Sequence, residues 1–209
     1  MALLIARHGE TALNVARIVQ PFDTALSSRG LDQADALGAR LAGAFRIVSI
    51  VTSDAPRASQ TATRIADRIG LPLEADPQWR ERNFGVLRGQ AYDGLGFDPL
   101  AMHEAPDEGE SLAQFESRVA AAFDRIIGRL ESLEPGQDLL LVTHGLVLRT
   151  LLERHLDGGR DALRAGPPGN ASLTVVETDG DAIRLRLACC VAHLRATDAS
   201  AAARTVVGI

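Results

Sequence analysis

Leu3-Leu4-Ile5-Ala6-Arg7-His8-Gly9-Glu10-Thr11 places four apolar residues directly before a sharply polar turn. An apolar run without polar alternation predicts a strand covered on both faces, as in a parallel sheet between two helical layers. The break at Arg7-His8-Gly9 puts two ionisable side chains at the carboxyl end of that strand. The same succession recurs twice. Ile47 to Val51 reads as a buried strand and runs into Ser53-Asp54, with Pro56 and Arg57 just beyond. Leu139 to Val142 reads as another and runs into His144-Gly145. In open α/β sheets ligands sit beyond the carboxyl ends of the strands, so these three breaks mark one candidate site.

Helical patterns fill the intervals. Ser28 predicts an N-cap for a helix with Leu31, Ala34, Leu37 and Leu41 on one face. Pro56 suits a first helical position, Ala58, Ala62, Ile65, Ala66 and Ile69 form the apolar stripe, and Gly70 stops the helix. A longer helix follows Ser111, with Phe115, Val119, Phe123, Ile126 and Leu130 on its face, and ends before Pro135-Gly136. The helix after His144 closes at Asp157-Gly158-Gly159. Ala171 to Glu177 and Ala182 to Leu187 read as two strands joined at Asp179-Gly180, a hairpin signal. Residues 85 to 107 are rich in glycine and proline and predict irregular chain. Strands alternating with helices of ordinary length predict an α/β fold, a three-layer sandwich with a mostly parallel central sheet flanked by helices. One domain over residues 1–209 is expected, with a short lid at about 85–110 and a loosely held, Ala-rich tail from about 195.

Composition narrows the function classes. The 209 residues are 46% hydrophobic and carry a formal net charge of −5, which argues against nucleic-acid and anionic-membrane binding. No lysine occurs, so Schiff-base chemistry and a Walker lysine are excluded. The two cysteines, Cys189 and Cys190, are neighbours, which argues against a disulfide framework and for a reducing compartment. The apolar run Ala2 to Ala6 is too short for a signal-peptide core, and no stretch of about 18 apolar residues exists to span a membrane. A cytoplasmic protein is the expectation.

The three strand ends bring together His8, His144, Arg7 and Arg57, with no carboxylate cluster and no set of residues at metal-ligand spacing. Guanidinium forks match phosphate oxygens, and a buried cationic pocket calls for an anion. A histidine there can donate to phosphate or attack it.

Leu4-Ile5-Ala6-Arg7-His8-Gly9-Glu10-Thr11 with Asn14 resembles the signature of the histidine phosphatase superfamily, the phosphoglycerate mutase-like proteins. Further segments match in order: Leu26-Ser27-Ser28-Arg29-Gly30 with Gln33-Ala34; Ser53 to Ala62; Arg80-Glu81 before Phe84-Gly85 and Gly89; Gly109-Glu110-Ser111; and Thr143-His144-Gly145. The resemblance implies a phosphoglycerate mutase-like fold, His8 as nucleophile, Arg7, Arg57, His144 and Asn14 around the phosphoryl group, Glu81 as general acid and base, and no cofactor or metal. Glu10, Glu74 and Asp76 are the rival carboxylates; Glu81 is preferred because it precedes Phe84-Gly85 at the family's spacing. His103 and His155 carry no motif, and His193 follows Cys189 to Ala192 where the family has Asn or Asp, so all three are read as structural.

Mutases of this family carry a longer insert after the acid, with Asn-Lys and paired arginines for the substrate carboxylate. Here Gly89-Gln90-Ala91-Tyr92 stands in its place, and Gln90 to Glu110 holds no Arg and is acidic, so few partners for a second anionic group are expected from the lid. A phosphatase acting on a small phosphorylated metabolite is therefore expected ahead of a phosphoglycerate mutase, and a non-catalytic phosphate-binding module comes last. Phe22, Phe84, Tyr92 and Phe97 are candidates either for leaving-group contacts or for packing. The family also contains homodimers, and the last strand and tail are where one would form.

Overall fold

The computed structural model describes residues 1–179 and 182–194. Six strands form one mixed sheet: β1 (Ala2–Arg7), β2 (Ile47–Thr52), β3 (Leu73–Ala75), β4 (Asp138–Thr143), β5 (Leu173–Asp179) and β6 (Ala182–Cys190), in the order β3-β2-β4-β1-β5-β6. β3, β2, β4 and β1 run parallel; β5 is antiparallel to both β1 and β6. The mostly parallel sheet expected from the sequence is present, with the terminal hairpin supplying its one reversed strand. The turn residues Gly180 and Asp181, and the tail from 195, lie outside the described residues.

The absence of alternation in β1 has the cause inferred for it, since every residue from Ala2 to Arg7 is buried. Leu3 and Ile5 enter one core with Val51, Leu139 and Leu141, roofed by α4 (Leu112–Glu131) and α5 (Gly145–Arg154). Leu4 and Ala6 enter the other with Ile50, Leu140 and Val142, roofed by α2 (Ser28–Ala44) and α3 (Pro56–Ile69). The sheet is thus the middle of three layers, and each parallel strand needs apolar residues on both faces.

Helix ends follow the sequence signals closely. Pro56 is at the first turn of α3, and Gly70 closes it at φ 78°. Ser111 caps α4 in a reciprocal box with Gln114. The cap of α2 is Ser27, not Ser28: its hydroxyl accepts from Gly30 N, and Ser28 is the first helical residue. Three elements besides the short 3-10 turns went unanticipated, the first being the single-turn helix α1 (Ala12–Val15), which Thr11 caps in a reciprocal box with Asn14. β3 has only three residues, all at least partly exposed. A further helix, Gly159–Ala165, starts at Gly158-Gly159, where the sequence predicts only a stop. Residues 85–110 consist of short 3-10 turns and loops, in keeping with the irregular segment expected there. No helix among the described residues is long and apolar enough to cross a membrane.

Candidate active site

The chain leaves β1 at Arg7 and is held along the carboxyl edge of the sheet. His8 N donates to Thr143 O (2.9 Å), so the nucleophile candidate is pinned to the end of the adjacent parallel strand β4. Gly9 N donates to Thr61 Oγ1 of α3 (3.0 Å), and Glu10 N to Gln33 Oε1 of α2 (2.8 Å). Gly30 lets the N-terminus of α2 press directly on this loop: a Cβ there would lie 2.0 Å from Glu10 O. The segment around Ser27, Gly30 and Gln33 therefore acts as a buttress for the loop that carries His8. Ser27 N and Glu10 O add a 2.9 Å bond to the same contact.

His8 Nδ1 lies 2.7 Å from its neighbour's carbonyl, Gly9 O, which can only accept. That fixes Nδ1 as the protonated nitrogen and leaves Nε2 with its lone pair. Burial, then the charges of Arg57 and Arg7, hold the imidazole well below the ordinary histidine range, against the smaller pull of the Gly9 carbonyl. The ring therefore stays neutral at neutral pH, as a nitrogen nucleophile requires. His144 lies edge-on to it at 5.2 Å between ring centroids. Its Nε2 is 2.8 Å from Ser53 Oγ at the end of β2, and its Nδ1 has no partner among the described residues. Burial and the neighbouring cations push the His144 pKa well down too.

Both arginines are tethered by a single nitrogen. Arg7 Nη1 donates to Pro168 O (2.6 Å), and Arg57 Nη1 to Pro21 O (3.1 Å). The Nε of each is buried without a partner among the described residues. The Nε and Nη2 edge that grips an oxyanion bidentately is thus uncommitted in both. Burial lowers both guanidinium pKa values, that of Arg57 to about 10, so Arg57 remains charged at neutral pH.

Arg7, His8, Arg57 and Glu81 share a cavity of about 180 Å³. Glu81 is half-buried, and its Oε1 and Oε2 accept from Arg82 N (3.1 Å) and Leu146 N (3.0 Å), the latter in the first turn of α5. Removal from water raises its pKa, and these two bonds with the charges of Arg57 and Arg7 limit the rise. Arg118 holds the approach to Glu81 in place, donating to Gln78 O and Arg80 O while paired with Glu110. Of the rival carboxylates, Glu10 is turned to Ser27 and Arg29, Glu74 to Arg129, and Asp76 caps the turn before Trp79. Glu81 alone among them lines the cavity.

Asn14 is buried but does not border the cavity. Its Oδ1 accepts from Thr11 N (3.1 Å) and Asn170 Nδ2 (3.2 Å), and Asn170 also reaches His8 O. Phe22, Phe84 and Tyr92 line the cavity, whereas Phe97 lies over a separate depression with Arg17 and Asp98. His155 packs against Phe123, and His193 meets Arg40 far from His8 in sequence and outside the cavity lining. Gln20, Arg82, Asn83 and Arg88 line the cavity and carry no sequence signal, and Arg80, part of a matching segment but without an expected role, lines it too. Arg88 also changes the charge expected of the lid: residues 90–110 are acidic and hold no Arg, but the turn Gly85–Leu87 at the lid's start delivers an arginine to the cavity wall. Among the described residues no group of three or more His, Cys, Asp or Glu is placed to hold a metal ion.

Residues 3–190 match the family profile described as histidine phosphatase superfamily, branch 1. A probable phosphoglycerate mutase GpmB from Yersinia pestis (strain Pestoides F) is 34% identical over 187 residues, covering 85% of each chain. The solved structure of Bacillus stearothermophilus YhfR is similar with a TM-score of 0.76 and 31% identity, over 92% of this chain and 98% of that one. A mycobacterial glucosyl-3-phosphoglycerate phosphatase, solved with VO3, gives a TM-score of 0.72 and 29% identity over 90% and 97%.

Proposed function

The chain belongs to the histidine phosphatase superfamily, and on that premise we propose that it hydrolyses a small phosphomonoester through a phosphohistidine on His8. The observation that carries this reading is the state of His8: Nδ1 is tied to Gly9 O, Nε2 retains its lone pair, and the ring shares a cavity with Arg7, Arg57 and Glu81.

In the first half-reaction Nε2 of His8 attacks phosphorus and the bond to the ester oxygen breaks. Glu81, protonated, gives its proton to the departing alkoxide, which leaves as the alcohol. The open edges of Arg7 and Arg57, with Nδ1–H of His144, receive the equatorial oxygens, and such preorganised donors supply most of the stabilisation in phosphoryl transfer. Asn14 supports the nucleophile loop from behind: its oxygen accepts from Thr11 and Asn170, and Asn170 reaches His8 O. In the second half-reaction Glu81 takes a proton from water, hydroxide attacks phosphorus, and the P–N bond breaks. Phosphate leaves, and both His8 and Glu81 return to their starting protonation.

Hydrolysis requires water at Glu81 after the alcohol has gone. Glu81 borders a second, wide depression, of about 430 Å³, with Pro77, Gln78, Gly109 and Arg118, which supports an access route for water that does not pass the leaving group. The identity with a probable phosphoglycerate mutase favours the second reading, transfer within phosphoglycerate with the intermediate shielded from water. Rapid quench after mixing with a labelled phosphomonoester should trap acid-labile, base-stable phosphate on His8, followed by inorganic phosphate, with or without EDTA. Absence of any phosphoenzyme would overturn the mechanism. Isomerisation of phosphoglycerate outpacing phosphate release would establish the mutase instead.

A further inference from the structure

Arginines dominate the cavity lining, where Glu81 is the only carboxylate. Their commitments differ sharply. Arg7 and Arg57 face the transferring phosphoryl in the mechanism above. Arg80 forms a two-point pair with Asp54, its Nε 2.7 Å from Oδ1, and stacks on Phe22. Arg82 is buried, and its three nitrogens donate to Glu110 O, Met102 O and Glu104 O. Arg88 is exposed, and only its Nε is used, on Gly85 O (3.0 Å); neither Nη has a partner among the described residues.

A phosphomonoester dianion balances Arg7 and Arg57 and leaves the charge of Arg88 unmet in the same cavity. Its neighbours there suit the alcohol half of a substrate: Gln20, whose oxygen is taken by Thr11 and whose amide nitrogen is not, and Tyr92. We propose that Arg88 is a specificity-determining residue that receives a second anionic group, a carboxylate or a second phosphate, on the alcohol portion of the substrate. The inference rests on the phosphatase reading and names the class of ester it acts on. The outer nitrogens of Arg88 supply two parallel donors, the geometry in which guanidinium selects an oxyanion over a hydroxyl.

The test compares esters that differ only in that group. 3-Phosphoglycerate is set against glycerol 3-phosphate, and propane-1,3-diol bisphosphate against 3-hydroxypropyl phosphate, in wild type, Arg88→Ala and Arg88→Gln. A hydrogen-bonded charge pair of this kind corresponds to roughly 10- to 100-fold. Wild type should prefer one or both anionic esters by about that factor in kcat/KM, chiefly through KM, and the pair that shows the preference identifies carboxylate or phosphate as the group. Both variants should lose the preference while turning over the neutral esters within about twofold of wild type. Hydrolysis by wild type without a charge preference, or an equal loss on charged and neutral esters in the variants, overturns the inference and leaves the phosphatase reading intact. Failure of wild type to hydrolyse para-nitrophenyl phosphate overturns both.

Discussion

Gly30→Ala should damage catalysis at a residue that touches no substrate. The added Cβ would sit 2.0 Å from Glu10 O and 2.9 Å from Glu10 N, and ordinary contact begins at 3.4 Å. Relief therefore needs a displacement of about 1.4 Å between α2 and the His8–Glu10 loop. If the loop yields, the bonds from Ser27 N to Glu10 O and from Gly9 N to Thr61 Oγ1 are strained together. Overpacking on this scale costs about 1–3 kcal/mol. For a domain of this size the melting temperature should fall by roughly 3–10 °C. A displacement of about 1 Å in a nucleophile costs on the order of 100-fold in turnover. Gly128→Ala is the internal control, since Gly128 is exposed on α4 with nothing within 4 Å of its Cβ position. It should raise stability by about 0.5–1 kcal/mol and leave turnover alone. The assay is kcat for para-nitrophenyl phosphate beside thermal melting for both variants. If Gly30→Ala melts early yet keeps its kcat, then α2 has yielded and the loop has not, and the buttress does not position His8.

Glu81→Gln should spare para-nitrophenyl phosphate, whose leaving group needs no proton, far more than an alkyl phosphate; general acid catalysis contributes roughly 100- to 10,000-fold where it is needed. Equal losses on both esters would remove Glu81 as the acid. The pH profile of kcat/KM, once divided by the fraction of substrate present as the phosphate dianion, should show no acid limb near 6.5, because His8 is held well below that value, and should fall on the alkaline side as Glu81, raised above its usual range, ionises; a remaining half-maximal acid limb at 6.5 would contradict the neutral, buried nucleophile. Stability should fall as pH drops below about 6.5, because the unfolded chain takes up protons that buried His8 and His144 refuse, with a slope of up to about 1.4 kcal/mol per pH unit for each histidine. Glu81 works in the opposite sense, since its raised pKa favours the folded state as pH falls towards it. Denaturant melts at pH 7.5 and 5.5 check the sign, and a flat or inverted dependence would refute it.

The strand ends were legible in the sequence because a strand buried on both faces announces itself as an apolar run, and its first polar residue marks its carboxyl end. Arg7, His8 and His144 follow from that alone. Arg80, Arg82 and Arg88 were not legible as cavity residues. Arginine is the chain's only basic residue besides histidine, so each one reads as a solvated charge until packing assigns it a partner. Asp54 and three lid carbonyls do so for two of them, and those contacts span up to 28 residues of sequence. β3 escaped notice because three partly exposed residues carry no periodic signal, and the helix at Gly159 because glycines that close one helix also admit the turn into the next. The buttress was visible as a motif, but its purpose was not: only the 2.0 Å approach at Gly30 explains why a glycine stands there.

The three bonds from Arg82 to the lid have a consequence for how this scaffold can diverge. Arg82 follows Glu81 directly and fastens Met102, Glu104 and Glu110, so the lid is riveted at its far end to the neighbour of the proposed acid. Residues 89–92 are stitched to 17–19 by bonds from Gly89 N to Val19 O, Val19 N to Gln90 O and Tyr92 N to Arg17 O, which leaves the stretch from Asp93 to Ala101 as a short span between two anchors. Its length and charge can drift, while the rivet keeps Glu81, the proposed proton donor, in register with His8. New leaving groups can be admitted by rewriting that span without reopening the proposed chemistry.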